Sequence, residues 1–102
     1  MKLTGIITFR IEDRFEQAHT TGIQRDEGEM GLDFKMQDDW YTVVLRRVQP
    51  GSLAGEFVRR SDRTTGHVKC DVYRGTKGKQ MLVGNWTEEG FTYFWFAQLA
   101  PV

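Results

Sequence analysis

The residue types that most often carry out chemistry are few and scattered in this chain of 102 residues. His19 and His67 are the only histidines, and neither stands in a metal-spaced cluster with cysteine or carboxylates. Cys70 lies between Val68 and Val72, which is typical of a small buried hydrophobe, and no base stands near it in the sequence. We therefore predict no catalytic residue, no metal site and no cofactor.

Three pairs of adjacent carboxylates could in principle supply an acid and a base, namely Glu12-Asp13, Asp38-Asp39 and Glu88-Glu89. Each pair ends an apolar segment or stands in a turn sequence, which favours a solvated structural role. The basic stretch from Arg74 to Lys79 lacks the spacing and the following helix of a phosphate-binding loop, although its cations could contact phosphates.

The formal net charge is zero, but the charges are segregated along the chain. Residues 1–39 contain five Lys/Arg and nine Asp/Glu, whereas residues 40–102 contain nine Lys/Arg and five Asp/Glu. We favour the interpretation that these two segments form surfaces of opposite charge that offset each other in the fold, because nucleic-acid-binding domains usually carry a net positive charge. We therefore expect no nucleic-acid partner. The alternative is an anion-binding patch formed by Arg46, Arg47, Arg59, Arg60 and Arg63.

The length predicts a single domain over residues 1–102 with one modest core. No stretch approaches the about 18 consecutive apolar residues of a membrane helix, and the first residues lack the apolar region of a secretory signal. The lone cysteine favours a reducing compartment. We expect a cytoplasmic protein with no membrane partner.

Alternating and β-branched runs, separated by turn residues, predict an all-β fold. The eight expected strands are Leu3–Ile11, Phe15–Ile23, Met30–Met36, Trp40–Val48, Leu53–Arg60, His67–Arg74, Gln80–Thr87 and Phe91–Leu99. Spacing near ten residues with short connections predicts an antiparallel up-and-down meander, and about eight strands suffice for a closed or nearly closed small barrel. The second strand is poor in apolar residues, so a helix or an irregular arm could replace it and leave an open or seven-stranded sheet.

A short pattern of Leu, any residue, Gly, any residue and an aromatic recurs at Leu53–Phe57 and Leu82–Trp86, and Leu3–Ile7 is a weaker copy. Glycine inside a strand usually marks strong coiling or a close approach of two backbones. The pattern resembles the strands of avidin-like and wider calycin barrels. That resemblance implies an eight-stranded antiparallel barrel, often oligomeric, with an open end for a small ligand and with the motif tryptophan pointing inward.

The last hairpin decides which side chains face the barrel interior. Glutamate is disfavoured at positive φ, so we expect a three-residue loop, Glu88–Gly90, rather than a two-residue one. This register pairs Asn85 with Tyr93 across the strands and places both, with Trp95, on the inward face. These three residues are the predicted ligand-binding set; the alternative is that Asn85 and Tyr93 only satisfy each other.

The opposite face of the same strands carries an aromatic cluster that would leave a large apolar patch in water. We predict a homo-oligomer interface from the residues Tyr73, Leu82, Trp86, Phe94 and Phe96. This register points Trp86 outward, against the resemblance, and a slip of one residue would exchange the two faces.

Three functions follow as hypotheses. The first is a barrel that binds a small apolar or aromatic molecule. The second is a homo-oligomeric interaction module that uses the C-terminal aromatic hairpin. The third is a calycin-like enzyme acting on a small organic acid, which the sequence favours least because we find no polar constellation for the interior.

Overall fold

Eight runs of alternating residues form a closed barrel in the computed structural model, which describes residues 1–26 and 28–102. The strands are β1 (Lys2–Ile11), β2 (Arg14–Asp26), β3 (Glu29–Met36), β4 (Asp39–Gln49), β5 (Ser52–Arg59), β6 (Thr65–Arg74), β7 (Gln80–Glu88) and β8 (Phe91–Pro101). One 3-10 turn, Thr76–Gly78, lies between β6 and β7. The predicted all-β antiparallel up-and-down barrel is confirmed.

Each strand pairs with its neighbours in chain order, and β8 closes the barrel on β1. The weakest predicted strand, β2, is fully formed: it pairs with β1 from Lys2 opposite Ile23 to Ile11 opposite Arg14. The alternative of a helix or an arm is therefore wrong. Closure explains this, because a barrel satisfies the backbone hydrogen bonds of a polar strand that an open sheet would leave exposed.

The recurring glycines stand where two backbones come close. A methyl carbon built on Gly5, Gly55 or Gly84 would overlap a carbonyl oxygen of the adjacent strand, those of Gln98, Val44 and Lys69 respectively. The prediction that this pattern marks close approach is confirmed, since no side chain fits at any of the three positions.

The interior is filled by the inward-facing side chains of all eight strands. Trp86 lies in the part of the core near the β7–β8 turn: its ring stacks on Phe57, with centroids 4.4 Å apart, and meets the edges of Phe9 and Trp95 at 4.9 and 6.2 Å. Such offset and edge-to-face pairs add to the burial of apolar area. The inward Trp86 agrees with the calycin-type resemblance, and the closed eight-stranded barrel is consistent with that architecture.

The turn between β7 and β8 differs from the prediction. Glu88 pairs with Phe91, so the loop is the two-residue Glu89-Gly90, with φ of 51° and 84°. Positive φ at both positions is the tight hairpin geometry that matches strand twist. The predicted three-residue loop is wrong because two gains offset the strain at Glu89: its carboxylate lies 2.9 Å from the Arg59 guanidinium, and Trp86 enters the core.

This change of register exchanges the two faces of β7 only. Val83 pairs with Phe96 and Asn85 with Phe94, so both Val83 and Asn85 lie on the outer wall. Leu82, like Trp86, is buried inside. The inward faces of β6 and β8 are as predicted.

Candidate functional site

One end of the barrel opens into a cavity of about 160 Å³. This end, here called the Arg59 mouth, is formed by the hairpins β1–β2, β3–β4, β5–β6 and β7–β8. The apolar wall of the cavity consists of Phe9, Ile11, Phe34, Met36 and Trp86, and its polar groups come from Gln37, Tyr41, Arg59, Glu88 and Tyr93. Apolar walls with a few converging polar groups are the usual composition of a small-molecule site.

Strand alternation explains why polar side chains collect at this mouth. Arg59 follows the buried Phe57 by two residues and ends β5, while Glu88 follows the buried Trp86 by two residues and ends β7. Residues two apart on a strand face the same side of the sheet. Arg59 and Glu88 are therefore the last inward-facing residues of β5 and β7, at the end of the barrel where the interior meets solvent.

Arg59 is held by carboxylates of its own hairpin and of the β3–β4 and β7–β8 hairpins. Its Nη1 donates to Glu88 at 2.7 Å, and its Nη2 donates to Asp62 at 2.8 Å and to Glu89 at 2.9 Å. The Asp39 carboxylate lies 3.7 Å from Arg59 Nε. The hydrogen bond to Asp62 raises the pKa of Arg59 above its usual value, so the guanidinium stays charged.

Glu88 joins this ion-pair network to the core. While one of its carboxylate oxygens accepts from Arg59, the other accepts a hydrogen bond from Trp86 Nε1 at 3.0 Å. Charge-assisted bonds of this kind fix geometry as well as add stability. Glu88, at the rim of the cavity, therefore fixes the position of Trp86, which forms the cavity floor.

The two tyrosines at the mouth stand on opposite sides of the network. Tyr41 stacks on Phe34, with centroids 5.1 Å apart and an interplanar angle of 5°. Burial raises the pKa of Tyr41, which keeps its hydroxyl protonated at neutral pH. Tyr93 pairs across the strands with Trp86 and is partly buried. Both tyrosines bring a hydroxyl and an aromatic ring to an otherwise apolar wall.

The structure separates the three residues predicted to bind a ligand. Tyr93 lines the cavity at the mouth. Trp95 is fully buried deeper in the core, where its Nε1 has no hydrogen-bond partner among the described residues. The prediction that Asn85 faces the interior is wrong, because the two-residue turn puts it on the exposed outer wall opposite Phe94.

The structure places three of the five predicted interface residues on the outer wall and two in the core. Tyr73, Phe94 and Phe96 lie on the outer wall, and Tyr73 and Phe94 are well exposed. The outward placement of Leu82 and Trp86 is wrong, since both are buried in the core. The register of β7 instead brings out Met81 and Val83, so we define the outer apolar face as Ile6, Tyr73, Met81, Val83, Phe94 and Phe96.

The remaining candidates for chemistry are dispersed. His19 contacts the Thr4 hydroxyl on the outer wall at 2.9 Å, and His67 is also exposed. Cys70 is buried as predicted, and that burial raises its pKa to about 12. Within residues 1–26 and 28–102, no three His, Cys, Asp or Glu side chains are arranged to hold a metal ion. In the same residues, no helix is long and apolar enough to span a membrane.

The five arginines of the hypothetical anion patch do not meet. Arg59, Arg60 and Arg63 lie near the β5–β6 turn, whereas Arg46 and Arg47 lie near the β4–β5 turn at the other end of the barrel. Arg60 is further engaged with Asp33 at 3.0 Å and lies over the Trp40 ring at 5.5 Å. A single anion could not contact both groups.

Sequence reasoning missed the central role of Arg59, Glu88 and Tyr41. Glu88 and Glu89 were expected to serve the turn alone, but they also hold Arg59, the last residue of β5. The available signal was spacing: Phe57 and Arg59, like Trp86 and Glu88, stand two residues apart. Comparison of the chain with family models, curated proteins and solved structures gives no match.

Proposed function

We propose that the protein binds a small organic molecule in the cavity of the Arg59 mouth. The observation that supports this most is the cavity itself, which combines an apolar wall with the polar side chains of Gln37, Tyr41, Arg59, Glu88 and Tyr93. The rest of the core is closely filled around Trp86, so we place the ligand at the mouth rather than in the middle of the barrel.

The size of the cavity limits the ligand. Its volume of about 160 Å³ corresponds to the space of about five water molecules in the liquid. Sites for drug-sized ligands usually measure about 300–1,000 Å³. We therefore propose either a very small molecule or the end of a larger one that projects through the open mouth into solvent.

Preorganisation supports the same proposal. Arg59 is fixed by Asp62, Glu88 and Glu89, and Glu88 in turn fixes Trp86. Side chains that are already ordered lose little conformational entropy when a ligand arrives. We assign no catalytic role to these residues. A cytoplasmic location is part of the proposal, supported by the lone cysteine, Cys70, which forms no disulfide within the chain.

The proposal is tested by nuclear magnetic resonance of the tryptophan indole N–H groups. Titration with benzyl alcohol, choline or benzoate provides a neutral, a cationic and an anionic probe. We expect at least one probe to shift the Trp86 signal and to leave the signal of Trp40, on the outer wall, in place. Met36→Arg places a longer, cationic side chain in the cavity and should abolish the shift by the neutral and cationic probes, whereas Met81→Arg on the outer wall should not. No shift with any probe would contradict the proposal.

A second candidate function is self-association through the outer apolar face. Phe94 and Tyr73 are 44% and 58% exposed there, and Phe96 lies beside Phe94 with ring centroids 6.1 Å apart. At the edge of this face, on β6, stand the opposite charges Lys69 and Asp71. In a two-fold dimer, Lys69 of each copy could pair with Asp71 of the other, so the occupant we propose for this face is a second copy of the chain.

A further inference from the structure

The charges around the Arg59 mouth are strongly unbalanced. Four carboxylates surround one guanidinium: Arg59 lies within 4 Å of Asp39, Asp62, Glu88 and Glu89. A surplus of carboxylates persists over the four hairpin tips at this end, residues 12–14, 37–39, 59–64 and 88–90. These tips contain the carboxylates Glu12, Asp13, Asp38, Asp39, Asp62, Glu88 and Glu89 against the guanidiniums Arg14, Arg59, Arg60 and Arg63, and the strands just beyond them add Arg10, Lys35 and Glu16.

The guanidinium of Arg59 is not free to attract an anion. Its Nε donates to Asp62 at 3.1 Å, its Nη1 to Glu88, and its Nη2 to Thr64 at 3.0 Å as well as to Asp62 and Glu89. All three nitrogens therefore already have acceptors. A carboxylate or phosphate ligand would have to displace one of these carboxylates and remain beside the others, which is electrostatically unfavourable.

The lining of the cavity favours the opposite charge. Five of its side chains are aromatic, namely Phe9, Phe34, Tyr41, Trp86 and Tyr93. Aromatic rings carry negative charge on their faces and attract cations, and aromatic lining is the usual means of binding methylated ammonium groups. The charged lining residues Arg59 and Glu88 pair with each other at 2.7 Å, so the surplus negative charge beside the cavity comes from the other carboxylates around Arg59, Asp39, Asp62 and Glu89. The volume of the cavity admits a group as compact as a trimethylammonium head.

We infer that the ligand of the Arg59 mouth is a small organic cation, of the methylated ammonium class, whose charged group enters beside the partly exposed rings of Tyr41 and Tyr93. This inference rests on the proposed function. The surplus of carboxylates attracts the cation to the mouth, and the apolar rings replace the weakly held water around its methyl groups. Ligand affinity should therefore fall as ionic strength rises.

The test compares choline with 3,3-dimethyl-1-butanol, its neutral counterpart of nearly the same shape. Titrations monitored at the Trp86 indole signal should give a dissociation constant at least tenfold lower for choline. Asp38→Asn removes one exposed carboxylate of the β3–β4 turn, outside the cavity lining, and should weaken choline binding about threefold, with little effect on the alcohol. Glu56→Gln, on the exposed outer wall, is the matched control and should leave both affinities unchanged.

The outcomes separate the two proposals. If the alcohol or benzoate binds as tightly as choline, the cation inference is overturned and the binding function stands. If no probe of any charge shifts the Trp86 signal, both fail. If Glu56→Gln weakens choline binding as much as Asp38→Asn, the local carboxylates do not determine the affinity, and the inference is again overturned.

Discussion

Arg59 Nη1 donates to Glu88 at 2.7 Å, and this contact ties β5 to β7 across the intervening strand β6. The side chains of Arg59 and Glu88 are only 19% and 16% exposed, so the pair is shielded from solvent more than a surface ion pair. The same guanidinium holds Glu89 in the tight turn. One residue of β5 thus determines the shape of the hairpin that supports the cavity floor.

Removing this cation should destabilise the barrel. We expect Arg59→Met to lower the free energy of unfolding by about 2 kcal/mol, because Glu88 keeps its charge and loses its partner. Arg60→Met is the matched control: Arg60 is 53% exposed and should change stability by about 0.5 kcal/mol or less. Urea denaturation measures both. If both variants lost the same free energy of unfolding, the contacts of Arg59 would stabilise the fold no more than an ordinary surface ion pair.

The close approach of strands at Gly84 makes a second prediction. Gly84→Ala should cost about 3 kcal/mol, because the added methyl group overlaps the Lys69 carbonyl oxygen and the two strands must separate. Gly31→Ala is a control on the same fold, since its nearest heavy atom would be 3.7 Å away, an ordinary contact. Its stability should stay within about 0.5 kcal/mol of the wild type. Chemical denaturation measures both variants. A similar loss of free energy of unfolding in the two would contradict the importance of the close backbone approach at Gly84.

Cys70 should be inert in the folded protein. Its thiol is buried, and its pKa rises to about 12 from the usual 9.0, so almost no thiolate exists at pH 8. Iodoacetamide should therefore label the native protein far more slowly than the urea-unfolded chain. Between pH 9 and 12 the unfolded state loses this proton while the folded state retains it, so stability should fall with rising pH. Rapid labelling of the native protein at pH 8 would disprove the buried assignment.

The outer apolar face predicts self-association. Sedimentation velocity at high micromolar concentration should show a dimer or a larger oligomer for the wild type, and Phe94→Glu should yield a monomer. Val44 provides a comparable site on β4, with 40% exposure against 44% for Phe94. Val44→Glu should leave the assembly intact. A wild-type monomer under these conditions would eliminate this second candidate function.

The strands and the glycine positions were predictable because both depend on local pattern. Alternation places side chains in and out within one strand, and the glycines at 5, 55 and 84 recur in the same short pattern. The polar strand β2 was harder to predict, since its stability comes from partners on both sides rather than from its own residues.

The face of β7 was not predictable from the hairpin sequence alone. The choice between a two- and a three-residue loop depends on Arg59, which lies 30 residues from Glu89 and compensates for the unfavourable φ. For the same reason the Arg59 mouth escaped prediction. Tyr41, Arg59 and Glu88 belong to β4, β5 and β7, and only closure of the barrel brings them to one cavity.

The most direct test of a ligand in the Arg59 mouth is native mass spectrometry of the protein purified from cells that naturally express it. We predict a retained small cationic mass that is lost on denaturation, persists in Met81→Arg and disappears in Met36→Arg. Wild-type protein that carries only the mass of its polypeptide, or a bound mass that survives in Met36→Arg, would contradict the account.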